Sequence, residues 1–159
     1  MKKLYTLIIA ALLLTTGKSF SQSFTYASLM NSVDSTPGSE LIFYSRLINN
    51  TTSTIQLDPV RDQDVIPEAP TWESAFCIFA CYLPTTDSVR EDFFAGDTIE
   101  FSYHMYTSST PDHATGIMRF KNVTNPSNVI TQSFFGSTDG TFAGVNDLNV
   151  NAKVNIYPM

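Results

Sequence analysis

Short segments in which apolar and polar residues alternate recur along the chain, at roughly ten-residue spacing. Alternation of this kind is typical of a β-strand that buries one face. The clearest example is residues 97–106, where Ile99, Phe101, Tyr103 and Met105 share one face. The same pattern predicts further strands over residues 40–48, 54–60, 72–83, 115–123 and 129–135.

The connections between these segments carry turn-forming residues, such as Asn49-Asn50 and Asn125-Pro126. Residues 61–70, which are rich in Asp and Pro, are predicted to form a loop. Residues that favour strands are plentiful after position 21, whereas good helix formers are sparse. We therefore expect an all-β fold, an immunoglobulin-like antiparallel β-sandwich of seven to eight strands.

Residues 1–21 have the layout of a cleaved secretory signal peptide. Lys2 and Lys3 precede an apolar run over residues 4–14, and Ser19 and Ser21 occupy the positions that a signal peptidase requires to be small. The apolar run is shorter than the roughly 20 residues that a membrane-spanning helix needs. We predict export, a mature chain that begins after Ser21, and no integral membrane span.

The composition changes again near the C-terminus. Residues 22–135 are assigned to the sandwich domain. Residues 136–147 place three glycines among Ser, Thr, Asn and Asp, and they are predicted to be a linker. Residues 148–159 are a short stretch of mixed apolar and polar character.

After position 21 the chain has six basic side chains against all fifteen acidic ones, a net charge of −9. Such a surface repels phosphate backbones and anionic lipids, so nucleic acid is not an expected partner. Acidity that keeps an exported protein soluble is the favoured interpretation. Cation binding is the alternative.

The C-terminal residues Lys153, Val154, Ile156, Tyr157 and Pro158 resemble the opening of the sorting domain of proteins exported by the type IX secretion system, which follows a polar linker. Met159 stands where that family has Asn. The resemblance implies a truncated sorting segment over residues 148–159. It also implies a secreted or cell-surface protein that uses the type IX machinery if the tail is complete in the source gene, and a periplasmic one if the tail is non-functional.

The central region resembles a cargo domain of the same secretion family. The shared features are a Trp (Trp72) before a Cys pair (Cys77 and Cys81), a strand that starts with Gly-Asp-Thr-Ile at residues 96–99, a strand led by Gly116 and a turn at Asn125-Pro126. The resemblance implies a non-catalytic β-sandwich.

Cys77 and Cys81 are the only cysteines. In an oxidising compartment an even pair usually forms a disulfide. A straight strand would separate them by about 13 Å, too far for a bond, so a disulfide requires residues 78–80 to turn. Two buried thiols are the alternative. Redox or metal use is disfavoured because the spacing is not C-x-x-C.

The sequence disfavours two candidate metal sites. His104, His113, Cys81 and Met118 supply the residue types of a blue-copper site, but both cysteines precede both histidines, which is the wrong order. We expect His104 on the outer face of its strand and His113 on a loop. No cofactor is expected.

A calcium loop is the second of these sites. Asp58, Asp62, Asp64 and Glu68 form an acidic cluster of the kind that binds calcium. Their spacing is not that of an EF-hand, and Arg61 offsets part of the charge. A solvated loop is therefore the favoured interpretation.

The candidate ligand-binding residues are Trp72, Tyr44 and Tyr106, whose rings could stack on sugars; core packing is the favoured role of Trp72. No nucleophile motif appears, so no catalytic residue is predicted. We expect a non-catalytic module for binding, adhesion or scaffolding, with an extracellular protein or glycan as partner. The alternatives are a carbohydrate-binding module, with a planar row of aromatic rings, and a small secreted enzyme or metal-binding protein.

Overall fold

The computed structural model describes residues 22–67 and 71–142. The described residues form ten strands and contain no helix, and hence no helix long and apolar enough to cross a membrane. The strands are β1 (Phe24–Ser28), β2 (Ser32–Asp34), β3 (Glu40–Asn49), β4 (Ile55–Val65), β5 (Glu73–Ile78), β6 (Ala80–Tyr82), β7 (Glu91–Phe93), β8 (Thr98–Tyr106), β9 (His113–Asn122) and β10 (Val129–Ser137).

The strands form two five-stranded sheets that pack face to face. The first sheet has the order β1-β3-β8-β5-β6, and the second has the order β2-β10-β9-β4-β7. Neighbouring strands are antiparallel except for β2 and β10, which are parallel. The predicted all-β sandwich is confirmed, but the predicted count of seven to eight strands is too low. The strands β2, β6 and β7 have three residues each, too few to show an alternating pattern.

The core consists of the inward faces of both sheets. The face predicted for residues 97–106 is buried throughout. Tyr103 of the first sheet stacks on Phe134 of the second, with ring centroids 4.7 Å apart and planes inclined by 8°. Phe101 meets Phe120 edge to face at 4.9 Å. The aromatic residues therefore join the two sheets in the middle of the sandwich.

Two glycines of the second sheet make room for large side chains of the first. A Cβ atom on Gly116 of β9 would lie 2.2 Å from the Tyr103 hydroxyl, and one on Gly136 of β10 would lie 2.5 Å from the Met105 sulfur. Neither separation is possible between non-bonded atoms. Glycine at these two positions is thus a requirement of the packing between the sheets.

Residues 61–65, which were predicted to begin a loop, instead continue β4. Strand β4 pairs with β9 as far as Val65, with a shift of register between Arg61 and Gln63. A bulge of this kind lets a strand continue through residues that break strict alternation. The prediction was wrong because the Asp-rich composition concealed the backbone pairing.

The sandwich also extends beyond its predicted end at residue 135. Strand β10 includes Gly136 and Ser137. The next residues are fixed by hydrogen bonds, since the Asp112 amide donates to Thr138 Oγ1 at 3.0 Å and the Thr141 amide donates to Asp139 Oδ1 at 2.9 Å. The predicted start of the linker at residue 136 therefore falls within strand β10. The remainder of the linker, the signal peptide and the sorting segment lie outside the described residues.

Candidate binding surface around Phe79

A disulfide between Cys77 and Cys81 closes the hairpin of β5 and β6. The two cysteines are register partners, as are Ile78 and Ala80, so Phe79 alone forms the tip. The turn that a disulfide was predicted to require over residues 78–80 is present, and the predicted pairing is confirmed. Residues 72–83 thus form two short strands instead of one central strand.

Phe79 has an unusual backbone conformation. Its φ is +55°, and it is the one non-glycine residue with positive φ among the described residues. An L-amino acid in this left-handed region is disfavoured by roughly 1–2 kcal/mol, and a bulky residue there is rare. Phe79 is also 57% exposed. The hairpin therefore holds a large apolar ring outward in a disfavoured conformation.

Two concavities flank Phe79. One, of about 210 Å³, lies on the first sheet and is lined by the disulfide, Tyr44, Glu100 and Ser102 together with the hairpin tip. The other, of about 520 Å³, lies towards β7 and is lined by Gln56, Arg90, Glu91, Asp92 and Phe94 in addition to Phe79. We call the exposed rings of Tyr44, Phe79 and Phe94, with these two concavities, the Phe79 surface.

A polar cluster adjoins the smaller concavity on the outer face of the first sheet. The His104 ring places Nδ1 at 2.7 Å from Glu40 Oε1, and Nε2 at 2.8 Å from Ser102 Oγ and 3.3 Å from Cys77 Sγ. Because a carboxylate accepts hydrogen bonds, Nδ1 carries the proton directed at Glu40. His104 lies on the outer face, as predicted, but its side chain is only 13% exposed. We call these four residues the His104 cluster.

Tyr44 and Tyr106, the two tyrosines predicted to bind ligand, lie on this same outer face, and both are exposed. Tyr44 is paired with Ser102 across β3 and β8, whereas Tyr106 lies four residues farther along β8 and stacks on His104 at 6.4 Å. Burial and the carboxylates of Glu40 and Glu73 raise the pKa of Tyr106.

The third predicted ligand residue, Trp72, is 1% exposed and belongs to the core. This burial agrees with the core role that the sequence favours for Trp72, which presents no exposed ring to a ligand. Its Nε1 atom is buried and has no hydrogen-bond partner among the residues that the structure describes.

The acidic residues proposed for calcium are placed differently from the prediction. Asp58 and Asp62 lie on strand β4, not on a loop. Each is paired with its own arginine, Asp58 with Arg90 at 3.7 Å and Asp62 with Arg119 at 2.9 Å. Asp64 is also on β4, and Glu68 lies outside the described residues. Asp58 and Asp62 therefore each form an ion pair with an arginine.

The residues weighed for copper are separated by the fold. His104 belongs to the first sheet and His113 to the second. Cys81 is bonded to Cys77, so it offers no thiolate, and Met118 is fully buried in the core. His113 begins β9 and is not on a loop as predicted.

One group of described residues that could hold a metal ion was not predicted from the sequence. Asp112, His113 and Asp139 place their ligand atoms within 4.8 Å of one another. Hydrogen bonds from Thr141 and from His113 hold the pKa of Asp139 well below its usual range. The group is open to solvent, and His113 Nδ1 already pairs with Asp139 Oδ2 at 3.0 Å. It was missed because Asp139 was assigned to the linker.

No known protein family and no curated protein sequence matches the chain. Its fold is similar to the N-terminal domain of PorA, with 16% identity, a TM-score of 0.51, and coverage of 72% of this chain and 96% of that one. A family 123 glycoside hydrolase from Clostridium perfringens is similar over 27% of its own length and 72% of this chain, with 6% identity and a TM-score of 0.51.

The seventh PapD-like domain of human CEP192 has 9% identity, a TM-score of 0.48, and coverage of 78% of this chain and 90% of that domain. At these identities the comparisons describe the fold alone. The two neighbours with a TM-score of 0.51, together with the two packed sheets, establish that the chain has the immunoglobulin-like β-sandwich fold.

Proposed function

We propose that this chain is a non-catalytic module of an exported protein, and that it binds an extracellular protein or glycan through the Phe79 surface. The observation that carries the proposal is the conformation of Phe79, a large ring that is exposed at the tip of a disulfide-closed hairpin at φ +55°. Tertiary structure can hold a residue in a conformation that its local sequence disfavours. Such residues are concentrated at functional sites.

The surroundings of Phe79 fit a binding role. Interfaces favour aromatic rings beside concave surfaces, with polar groups at the edge. Here Tyr44 and Phe94 lie on the two sides of Phe79, each next to a concavity. Glu100, Ser102 and Arg90 supply hydrogen-bonding groups at the rim. A partner could therefore place apolar groups against the rings and polar groups against the rim.

The geometry also favours a non-catalytic role. Ser102, His104 and Glu40 resemble the order of a Ser-His-acid triad, with separations of 2.8 and 2.7 Å. Such a triad also needs N–H donors for the developing oxyanion. Strand β8 is paired on both sides, with β3 and with β5, and its backbone N–H groups belong to those ladders. The strand around Ser102 therefore offers no such donors.

The binding proposal is tested with the mature chain, residues 22–159, against immobilised glycans and extracellular proteins of the source cell. Phe79→Ser should weaken binding at least about tenfold, as the loss of a central aromatic residue commonly does. Val65→Ser is the matched control. Val65 is 60% exposed and lies about 30 Å along β4 from Gln56 at the concavity. Equal binding by wild type and Phe79→Ser would overturn the proposal.

A carbohydrate ligand is the second candidate, because Tyr44 and Tyr106 are exposed on one face of the same sheet. Flat rings on one face can stack on successive sugars, while Ser102 and Glu40 offer hydrogen bonds. Under this alternative Tyr44→Ala and Tyr106→Ala each reduce retention in polysaccharide-containing gels. If both variants were retained in the gel as strongly as wild type, this alternative would be contradicted.

The export proposal rests on residues 1–21 and on the disulfide, since disulfides persist in oxidising compartments. Residues 153–158 add the resemblance to the type IX sorting segment. On this basis the protein is a type IX cargo of the cell surface or medium.

A further inference from the structure

The two cysteines of the hairpin disulfide differ in exposure. Cys81 is an exposed residue of the edge strand β6, whereas Cys77 is half-buried on β5 between β6 and β8. Both cysteines line the concavity of about 210 Å³ beside Phe79. A thiol that approaches from the open edge of β6 meets Cys81 before it meets Cys77.

A ring nitrogen that can carry a proton lies beside the other sulfur. His104 Nε2 lies 3.3 Å from Cys77 Sγ, and Glu40 Oε1 lies 2.7 Å from His104 Nδ1. In thiol–disulfide exchange the leaving sulfur acquires negative charge, so a proton donor or positive charge beside it accelerates the reaction. The Glu40 carboxylate accepts the hydrogen bond of Nδ1 and thereby fixes the orientation of the ring.

We propose that the Cys77–Cys81 disulfide is an exchange site for the thiol of a partner protein. The partner's thiolate attacks Cys81 Sγ, and its electron pair forms a new S–S bond. The Cys77–Cys81 bond breaks, and its electron pair leaves on Cys77 Sγ. The proton on His104 Nε2 moves to that sulfur. The products are a mixed disulfide at Cys81, a Cys77 thiol and a neutral His104.

The reverse step needs no additional reagent. The Cys77 thiol gives its proton to His104, attacks Cys81 Sγ, expels the partner's thiolate and restores the original disulfide. The module would thus hold a thiol-bearing partner covalently and reversibly. This inference goes beyond the proposed non-covalent binding, and it concerns the disulfide and the His104 cluster, not the aromatic rings.

The test uses reduced glutathione as the thiol and the folded mature chain. The reaction is stopped with N-ethylmaleimide, and chymotryptic cleavage after Phe79 separates the two cysteines for mass spectrometry. Wild type should carry glutathione on Cys81 and N-ethylmaleimide on Cys77. His104→Gln should slow the appearance of this product at least about tenfold, which is below the usual effect of a general acid. His113→Gln, which alters the other histidine, should leave the rate unchanged.

A second variant keeps the test decisive if His104→Gln does not fold. Glu40→Gln retains a hydrogen-bond acceptor for Nδ1 and removes the charge, so it should also slow the reaction while the unfolding midpoint stays close to that of wild type. Glutathione found mainly on Cys77, or equal rates for wild type and Glu40→Gln, would overturn the proposal. Phe79→Ser distinguishes this proposal from the binding proposal, because it should lose binding and still take up glutathione. Its modified cysteine is located by fragmentation of the peptide, since the substitution removes the chymotryptic site.

Discussion

At the scale of single residues, the two sheets fit together because small residues face large ones. Tyr103 is fully buried and occupies the space above Gly116, where β9 carries no side chain. Gly136 leaves comparable space for Met105. The sequence analysis identified Tyr103 and Met105 as inward-facing from their alternation. It did not identify the glycines that accommodate them, because partners across the sandwich are not encoded in local periodicity.

Replacement of Gly116 by Ala should destabilise the fold. The added Cβ would lie 2.2 Å from the Tyr103 hydroxyl and 2.4 Å from its ring. Overpacking of this kind lowers the free energy of unfolding by about 1–3 kcal/mol, as measured by urea denaturation. In a Tyr103→Leu background the same replacement should be less destabilising. Additive effects of the two substitutions would contradict the assigned contact.

Titration of Tyr26 should lower the stability of the folded protein at high pH. Burial raises the pKa of Tyr26 to about 12, whereas an unfolded tyrosine titrates near 10. Between these values the unfolded chain loses a proton that the folded chain keeps, so stability falls as the pH rises from about 10 to about 12. The decrease is at most about 2 kcal/mol for this residue.

Urea denaturation at the two ends of this range measures the effect, with Tyr26→Phe as the comparison. The variant should lose less stability, because the buried ring no longer titrates. Some loss should remain, since a hydrogen bond to Glu91 raises the pKa of Tyr82 and burial raises that of Tyr106. The same decrease in wild type and Tyr26→Phe would show that Tyr26 does not contribute.

At the scale of elements, the long strands could be predicted from the sequence, whereas the short ones and the tip of the hairpin could not. Alternation located β3, β8, β9 and β10 because each is nine or ten residues long. The hairpin of β5 and β6 lies in one apolar segment, and only the requirement of a disulfide pointed to a turn there. That requirement gave no indication that Phe79 would point outward.

Removal of the disulfide should lower the stability of this hairpin and of the fold. The bond closes a short loop, which corresponds to roughly 2 kcal/mol in the chain-entropy description. Cys77→Ala/Cys81→Ala should therefore unfold at a lower urea concentration than wild type, with an unchanged slope. A double variant as stable as wild type would mean that pairing between β5 and β6 alone fixes the turn.

At the scale of the whole molecule, the sequence supplied the fold class and some of the candidate surface. Tyr44 and Tyr106 were predicted to bind ligand and do lie exposed on one face. Phe79 and Phe94 were not identified, because an exposed phenylalanine is indistinguishable from a core residue in the sequence. Trp72 illustrates the reverse case, since its large aromatic ring is buried.

The export proposal predicts the N-terminus of the processed protein. In the source cell, mass spectrometry of the processed protein should find Gln22 as its first residue and a Cys77–Cys81 disulfide. Ser21→Trp should leave the precursor uncleaved, because the position before the cleavage site must be small. A full-length chain that begins at Met1 with reduced cysteines would contradict export.

The central claim is that Phe79 is held outward for binding and not for stability. Phe79→Asn tests it most directly, because Asn adopts positive φ more readily than Phe. The variant and wild type are compared in urea denaturation and in binding to the same immobilised glycans and extracellular proteins. The account predicts equal stability or a gain of up to about 1 kcal/mol, together with at least about a tenfold loss of binding. Undiminished binding, or a marked loss of stability, would contradict it.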